Sequence, residues 1–129
     1  MSCQKIAIVP GDPAGIGPEL VAKLLQQDSI QNAADILLVG DAHLWQRGAA
    51  QADVALPLRS ITSDQIAQFT GCAHLDLQTV SPEDVKISQV TVAGGTTALR
   101  CLDTALDLAM ARLVDGILFA PFNKAALTA

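Results

Sequence analysis

A short, largely β-branched run that leads directly into a glycine-rich turn places the tightest constraint on the fold. Residues 5–9 read Lys-Ile-Ala-Ile-Val and are closed by Pro10-Gly11, a pattern typical of a buried parallel strand. Pro18 stands where a helix can begin, since the missing N–H of proline costs nothing in the first turn. The segment therefore predicts a strand–turn–helix unit, with the helix over about 18–27. Its apolar positions have helical spacing: Leu20, Val21, Leu24 and Leu25.

The same succession of strand, turn and helix recurs along the chain. Residues 35–39 read Asp-Ile-Leu-Leu-Val and are followed by Gly40-Asp41 and a helical segment over 42–50. Near the other end, the apolar run 117–120 is stopped by Pro121. Because strands alternate with helices, the sequence predicts an α/β fold with a mostly parallel sheet and flanking helices.

The middle of the chain carries weaker patterns. A proline interrupts 54–61, which predicts an edge strand or an irregular crossing there. One short helix is predicted over 63–69, because its first two residues are good N-caps. Two further short strands are predicted over 75–80, where apolar and polar residues alternate, and over 87–92.

The longest helical pattern follows Gly94-Gly95 and continues through Val114. Thr96 or Thr97 can cap this helix. The same residues could present donors to an anion, but capping is the simpler role. We expect one face to pack inward. That face consists of Leu99, Leu102, Leu106, Ala109, Met110 and Leu113.

Composition limits the classes of function. The chain has 129 residues, 50% of them hydrophobic, and its 13 acidic and 8 basic side chains give a formal net charge of −5. So apolar a chain is expected to form one domain with an aliphatic core. Its acidity predicts no nucleic-acid partner and no membrane partner. No apolar run approaches the roughly 18 residues of a membrane span and no signal peptide is recognisable, so a cytoplasmic location is expected.

Cysteines and histidines give no metal-binding pattern. Cys3, Cys72 and Cys101 form no Cys-x-x-Cys pair, and reduced structural thiols are expected. His43 and His74 have no neighbour at ligand spacing. The sequence therefore predicts no metal ligand in this chain, and it assigns neither histidine a role.

The turn after the first strand is the first candidate site. It extends from Gly11 to Glu19 and contains three glycines, which let a ligand approach the main chain. In open α/β sheets, ligands bind where strands lead into helices, because free N–H groups point there. Leu20 stands where a Rossmann fingerprint needs its third glycine or alanine, and the Gly-Lys-Ser/Thr ending of a P-loop is absent. The simpler alternative is that Asp12 and Pro18 are ordinary turn and first-turn residues.

The segment after the last predicted strand is the second candidate site. Asn123 and Lys124 follow Pro121 there, and an amide and an ammonium can hold a polar or anionic substrate. The simpler alternative is that Asn123 caps a helix and Lys124 is a solvated surface charge.

These two segments together resemble a known family. Residues 10–19, Pro-Gly-Asp-Pro-Ala-Gly-Ile-Gly-Pro-Glu, and residues 115–127, which include Ala-Pro-Phe-Asn-Lys, resemble the signatures of 4-hydroxythreonine-4-phosphate dehydrogenases. The resemblance implies a partial isocitrate/isopropylmalate-dehydrogenase-like domain. It also implies oxidation with decarboxylation of a phosphorylated four-carbon hydroxy acid such as 4-phosphooxy-threonine, with NAD and a divalent metal as cofactors.

The resemblance also implies roles for single residues. Asp12, Gly15 and Gly17 of the first motif are expected near the cofactor, and Asn123 and Lys124 of the second are expected to bind the substrate. No catalytic residue in this chain is assigned, and the metal-binding histidines of such enzymes have no counterpart in it.

Length sets this chain apart from the family that it resembles. Because such enzymes are more than twice as long, residues 1–129 are expected to be the N-terminal part of a two-domain dehydrogenase, inactive alone. The remainder of the first domain and the whole second domain would be absent. An open sheet edge would then favour a homo-oligomer. Two alternatives stay open: a free-standing flavodoxin-like or receiver-like ligand-binding module, and an interaction domain whose two loops are only structural.

Overall fold

The structure is a computed structural model, and it describes residues 4–11, 15–56, 59–78 and 92–120. Its strands are β1 (Gln4–Val9), β2 (Ala34–Val39), β3 (Cys72–Leu75) and β4 (Gly116–Phe119). Its α-helices are α1 (Gly17–Leu24), α2 (Asp28–Ala33), α3 (Ala42–Ala52) and α4 (Val92–Met110), and Ser63–Gln65 form one 3₁₀ turn. Within these ranges, no helix combines the length and the hydrophobicity that a bilayer crossing requires.

The four strands form one parallel sheet in the order β3-β2-β1-β4. Ile6 of β1 is in register with Ile36 of β2 on one side and with Gly116 of β4 on the other. Reciprocal bonds fix the start of β4, because the Lys5 N–H donates to the Asp115 carboxylate and the Asp115 N–H donates to the Lys5 carbonyl. The predicted α/β class, with its parallel sheet and flanking helices, is confirmed.

Helices cover both faces of the sheet. On one face Trp45 of α3, Val21 of α1 and Leu25, just after α1, pack against Ile8 and Leu38. On the other face α4 packs against the adjacent strand residues, and the residues buried there include Ala7, Val9, Leu37, Val39, Cys101, Ala105 and Leu108. The strands are therefore buried on both faces, as the short apolar runs predict.

Three local predictions are wrong. Helix α1 ends at Leu24 and is followed by α2, a separate short helix that the sequence pattern does not indicate. The segment 63–69 forms only a 3₁₀ turn followed by non-helical turns. The third strand lies at Cys72–Leu75 instead of 75–80, because a strand buried on both faces has no reason to alternate apolar and polar residues.

The long helix also differs from its prediction. It begins at Val92, so Gly94-Gly95 and the two threonines lie inside it and do not cap it. The inward face is formed by smaller side chains at Ala98, Cys101 and Ala105, together with Leu108. The predicted inward residues Leu99, Leu106 and Met110 are instead 42%, 43% and 82% exposed. Small side chains let α4 approach the sheet closely, which leaves these three residues on the outside. Two others of the predicted face, Ala109 and Leu113, do pack against the core.

Two predictions concern the chain between the main elements. The strand predicted over 87–92 lies outside the described residues except for Val92, which is helical. The described parts of 54–61 are irregular apart from a bridge between Ser60 and His74. The described parts of 54–61 thus agree with an irregular crossing, one of the two predicted alternatives.

Candidate functional site

The strand order creates a switch point between β1 and β4. The chain adds β2 and then β3 on one side of β1, and it later returns to add β4 on the other side. Connections that leave two such neighbouring strands in opposite directions open a crevice outside their carboxyl ends. The flavodoxin-like order is 2-1-3-4-5, so the described strands contradict the flavodoxin-like or receiver-like alternative.

The two candidate segments begin side by side at this switch point. Val9 and Phe119 are in register at the ends of β1 and β4, and the Ala120 N–H donates to the Val9 carbonyl at 3.2 Å. A Cβ built on Gly17 would lie 2.1 Å from the Pro10 carbonyl oxygen and 2.8 Å from the Ala120 Cβ. The first turn of α1 therefore sits directly against the ends of both strands.

The same edge continues across β2 and β3. Gly40 lies beside Pro10, since a Cβ built on Gly40 would be 3.3 Å from the Pro10 Cγ. The Ala42 N–H at the start of α3 donates to the Asp76 carboxylate beyond β3, at 3.2 Å. The carboxyl ends of all four strands thus form one continuous row of backbone turns, to which α1 and α3 present their N-termini.

Two polar side chains are buried beneath this row, and sequence reasoning gave neither a role. Asp41 follows β2, is fully buried, and approaches the His43 Nε2 to 3.4 Å through its Oδ2. His74 of β3 is also fully buried, and its Nε2 lies 2.8 Å from the Gly40 carbonyl oxygen. A carbonyl can only accept, so this contact assigns the His74 proton to Nε2. The feature of the sequence that could have pointed to Asp41 is its position in the Gly40-Asp41 turn directly after a buried strand.

The predicted site residues are only partly described. Gly15 and Gly17 lie at the carboxyl edge, Gly15 half-buried and Gly17 fully buried. Asp12, Asn123 and Lys124 lie outside the described residues. The close contacts of Gly17 are with the protein itself, so tight packing accounts for a glycine there. The cofactor role of Asp12, Gly15 and Gly17 and the substrate role of Asn123 and Lys124 stay predictions.

The side chains of the described residues do not form a metal centre. Within 4–11, 15–56, 59–78 and 92–120, no three His, Cys, Asp or Glu side chains group closely enough to hold a metal ion. These residues therefore do not fit a divalent metal, and no metal-dependent step is assigned to them.

A cavity of about 380 Å³ lies at the opposite, amino-terminal edge of the sheet, between the end of α1, α2 and the starts of β2 and β3. Two of its amides already bond within the chain, because the Gln26 Nε2 donates to the Ala55 carbonyl and the Gln31 Nε2 donates to the Leu25 carbonyl. Ligands of parallel sheets bind at the carboxyl edge, so this cavity is not the candidate site.

The thiol of Cys101 provides a test of packing below the site. Burial, together with the nearby Asp41 charge, raises the pKa of Cys101 to about 12. The unfolded thiol titrates near 8.5. The stabilisation from the protonated thiol is therefore complete below about pH 8.5 and is lost as the pH rises toward 12.

We expect Cys101 to resist thiol reagents at pH 8 until the chain unfolds. Above pH 9 the free energy of unfolding should fall by about 1.4 kcal/mol per pH unit more than in Cys101→Ala, measured by urea denaturation. If the free energy of unfolding fell with pH at the same rate in the parent and in Cys101→Ala, the thiol would not be buried as described.

A parallel sheet that is helix-covered on both faces, with a glycine turn at its switch point, defines the class of doubly wound α/β domains whose ligand crevice lies outside the strand ends. Residues 32–129 match the family described as pyridoxal phosphate biosynthetic protein PdxA. The chain belongs to this family.

Individual relatives agree with this assignment. A Rhizobium meliloti protein named provisionally as a 4-hydroxythreonine-4-phosphate dehydrogenase is 43% identical over 95% of this chain and 36% of its own length. The D-threonate 4-phosphate dehydrogenase of Salmonella typhimurium is 35% identical over 98% of this chain and 39% of its own. The solved 4-hydroxythreonine-4-phosphate dehydrogenase of Klebsiella pneumoniae superposes with a TM-score of 0.84 at 34% identity, over 99% of this chain and 39% of its own. The chain thus spans well under half the length of these relatives.

Proposed function

We propose that this chain is part of an NAD- and metal-dependent dehydrogenase that acts in the cytoplasm. Its substrate would be a phosphorylated four-carbon hydroxy acid such as 4-phosphooxy-threonine, which it would oxidise and decarboxylate. The observation that carries the proposal is the meeting of the glycine turn after β1 with the end of β4. The names of relatives support the substrate class, since they are dehydrogenases of 4-hydroxythreonine 4-phosphate or D-threonate 4-phosphate.

In such a reaction NAD would supply the hydride acceptor for the hydroxyl-bearing carbon, and the hydroxyl proton would pass to a base. The resulting keto acid would lose carbon dioxide and leave an enol, which would take up a proton. The contribution of this chain would be binding and orientation. The first turn of α1 would offer N–H groups to an anionic substrate, and Asn123 with Lys124 would add an amide and an ammonium.

The 129 residues alone are expected to be inactive, because the described residues do not fit the metal and the named relatives are much longer. A homo-oligomer stays a prediction. It is supported by the outer strand β4, whose Leu118 and Phe119 are exposed on opposite faces, since open apolar edges favour association.

The substrate role of Lys124 has a direct kinetic test. In an enzyme of full family length that carries this segment, Lys124→Ala should lower kcat/KM for D-threonate 4-phosphate by about tenfold or more, because a charge-assisted bond to the substrate is lost. The readout is NADH formation at 340 nm with purified protein and a divalent metal.

Lys23→Ala is the matched control. Lys23 is exposed in the last turn of α1, away from the carboxyl edge, so its removal should leave the kinetics unchanged. Equal kinetics for Lys124→Ala and the parent would remove the substrate role of Lys124. Absence of NAD reduction with any phosphorylated four-carbon hydroxy acid would overturn the proposed function.

A further inference from the structure

The large apolar side chains that remain exposed are concentrated on three elements. A single exposed leucine is ordinary, whereas a contiguous apolar surface marks a place of interaction. Their positions around the helices place most of them along one edge of the sheet. Among the described residues they are Leu99, Leu106 and Met110 of α4, Leu118 and Phe119 of β4, and Ile16 and Leu20 at the start of α1.

The exposed stripe of α4 lies on the β4 side of that helix. Leu99, Leu106 and Met110 fall within about 40° of one another, at about 100° per residue. They stand about 140° around the helix from the buried Cys101 and Ala105. Parallel crossovers are right-handed, and α1 and α4 lie on opposite faces, as two such crossovers in opposite directions require. In this hand the stripe turns from the sheet toward β4 and solvent.

Leu20 and Leu118 occupy the same edge on the other face of the sheet. Leu118 is 44% exposed and in register with Ile8, which belongs to the core on the α1 face. Pro18 marks the side of α1 that meets α3, because it lies against Gly48. Leu20 stands about 200° around the helix from Pro18. It therefore faces away from α3, which connects β2 with β3, and toward β4.

Strand β4 itself has the composition of an interior strand. It reads Gly-Ile-Leu-Phe over 116–119, without a charge or a proline, although natural edge strands are protected by such residues or by bulges. Within the part of the chain that the structure describes, its neighbouring strand is β1, on one side. Because strands of a parallel sheet are covered on both faces, this composition suits a strand that is paired and covered.

The spacing of helices argues against a second copy at this edge. Helix α4 lies mainly over β1, so two copies joined by a two-fold axis at β4 would hold their α4 axes three strand spacings apart, or about 14 Å. Packed helices approach to about 8–10 Å. A new strand beside β4, covered by its own helix, would instead place that helix two strand spacings from α4, or about 9.5 Å.

We propose that this edge binds a strand flanked by helices from the remainder of the family-length polypeptide. The strand would pair with β4, one helix would cover the α4 stripe, and a second would cover Leu20 and Leu118. The named relatives have the length for this, since the chain spans well under half of them. The inference concerns assembly and does not depend on the proposed reaction.

Thiol labelling of two matched proteins tests this assignment. Met110→Cys and Leu118→Cys are placed in the 129-residue chain and in an enzyme of full family length that carries the same segment. Both proteins are treated with N-ethylmaleimide, and mass spectrometry of the peptides separates each new site from the native cysteines. We expect both sites to react more slowly in the long protein by about tenfold or more, because thiol reactivity follows exposure.

Gln46→Cys is the matched control. Gln46 is exposed on α3, away from β4, so it should react at the same rate in both proteins. Hydrogen exchange of the unmodified proteins adds a measurement that needs no substitution. The Ala120 N–H faces β1, so the Ile117 N–H, three residues earlier, faces the open side. It should exchange more slowly in the long protein, by about tenfold or more.

Equal labelling of Met110→Cys and Leu118→Cys in the two proteins, or equal exchange of the Ile117 amide, would overturn the proposal. Slow labelling of Met110→Cys in the 129-residue chain that quickens on dilution would show that a second copy covers this edge, and would overturn it as well. NAD reduction by the long protein is a separate readout. The proposed function can therefore fail while this inference stands, and the reverse.

Discussion

Gly17→Ala is expected to destabilise the chain by about 2–4 kcal/mol, although alanine is the better helix former. The added Cβ would lie 2.1 Å from the Pro10 carbonyl oxygen and 2.8 Å from the Ala120 Cβ. Backbone cannot rotate away as a side chain can, so α1 must move off the ends of β1 and β4. Overpacking of this kind costs more than the roughly 1 kcal/mol of helix propensity gained.

The measurement is urea unfolding followed by the fluorescence of the one tryptophan in the chain. Gly116→Ala is the matched control, because its new Cβ would meet the flexible tip of Ile6, at 3.2 Å. We expect Gly116→Ala to lower the free energy of unfolding by less than about 1 kcal/mol. Equal stability of Gly17→Ala and the parent would show that α1 does not approach the strands so closely.

Trp45→Ala is expected to lower the free energy of unfolding by about 3–5 kcal/mol, which is a large part of the stability of a domain this size. Trp45 is fully buried between α3 and the sheet, where it packs with Ile8, Val21 and Leu38. It also lies beneath the candidate site, since its Nε1 would be 3.3 Å from a Cβ built on Gly40. Its loss should therefore loosen the turn that carries Asp41 and His43.

Trp45→Phe separates the volume of the ring from its polar atom. The Trp45 Nε1 has no hydrogen-bond partner among the described residues, so deleting the N–H breaks no bond and the loss should stay near 1 kcal/mol. Circular dichroism in urea is the readout, because the fluorophore is removed. A cost for Trp45→Phe as large as that for Trp45→Ala would show that the indole N–H is bonded.

Local patterns in the sequence determined the strand–turn–helix units and the two segments at the switch point. Residues 5–9 and 35–39 could be identified because a strand buried on both faces is a continuous apolar run. The turns that follow them are marked by glycine and proline, whose backbone preferences act within a few residues. Since the carboxyl ends of parallel strands share one edge, the side-by-side start of the two candidate segments, at Val9 and Ala120, followed from the predicted α/β fold.

Tertiary structure alone decided which apolar residues face the core and which polar residues meet. Helix α4 has two apolar stripes, and the periodicity of the sequence cannot decide which of them faces the sheet. The close approach to the sheet selects Ala98, Cys101 and Ala105 and leaves Leu106 and Met110 outside. His74 meets Gly40 from 34 residues away in the chain, and β3 takes its register from β2. Such contacts depend on how separate elements pack, because hydrophobic burial depends on area and shape rather than on sequence position.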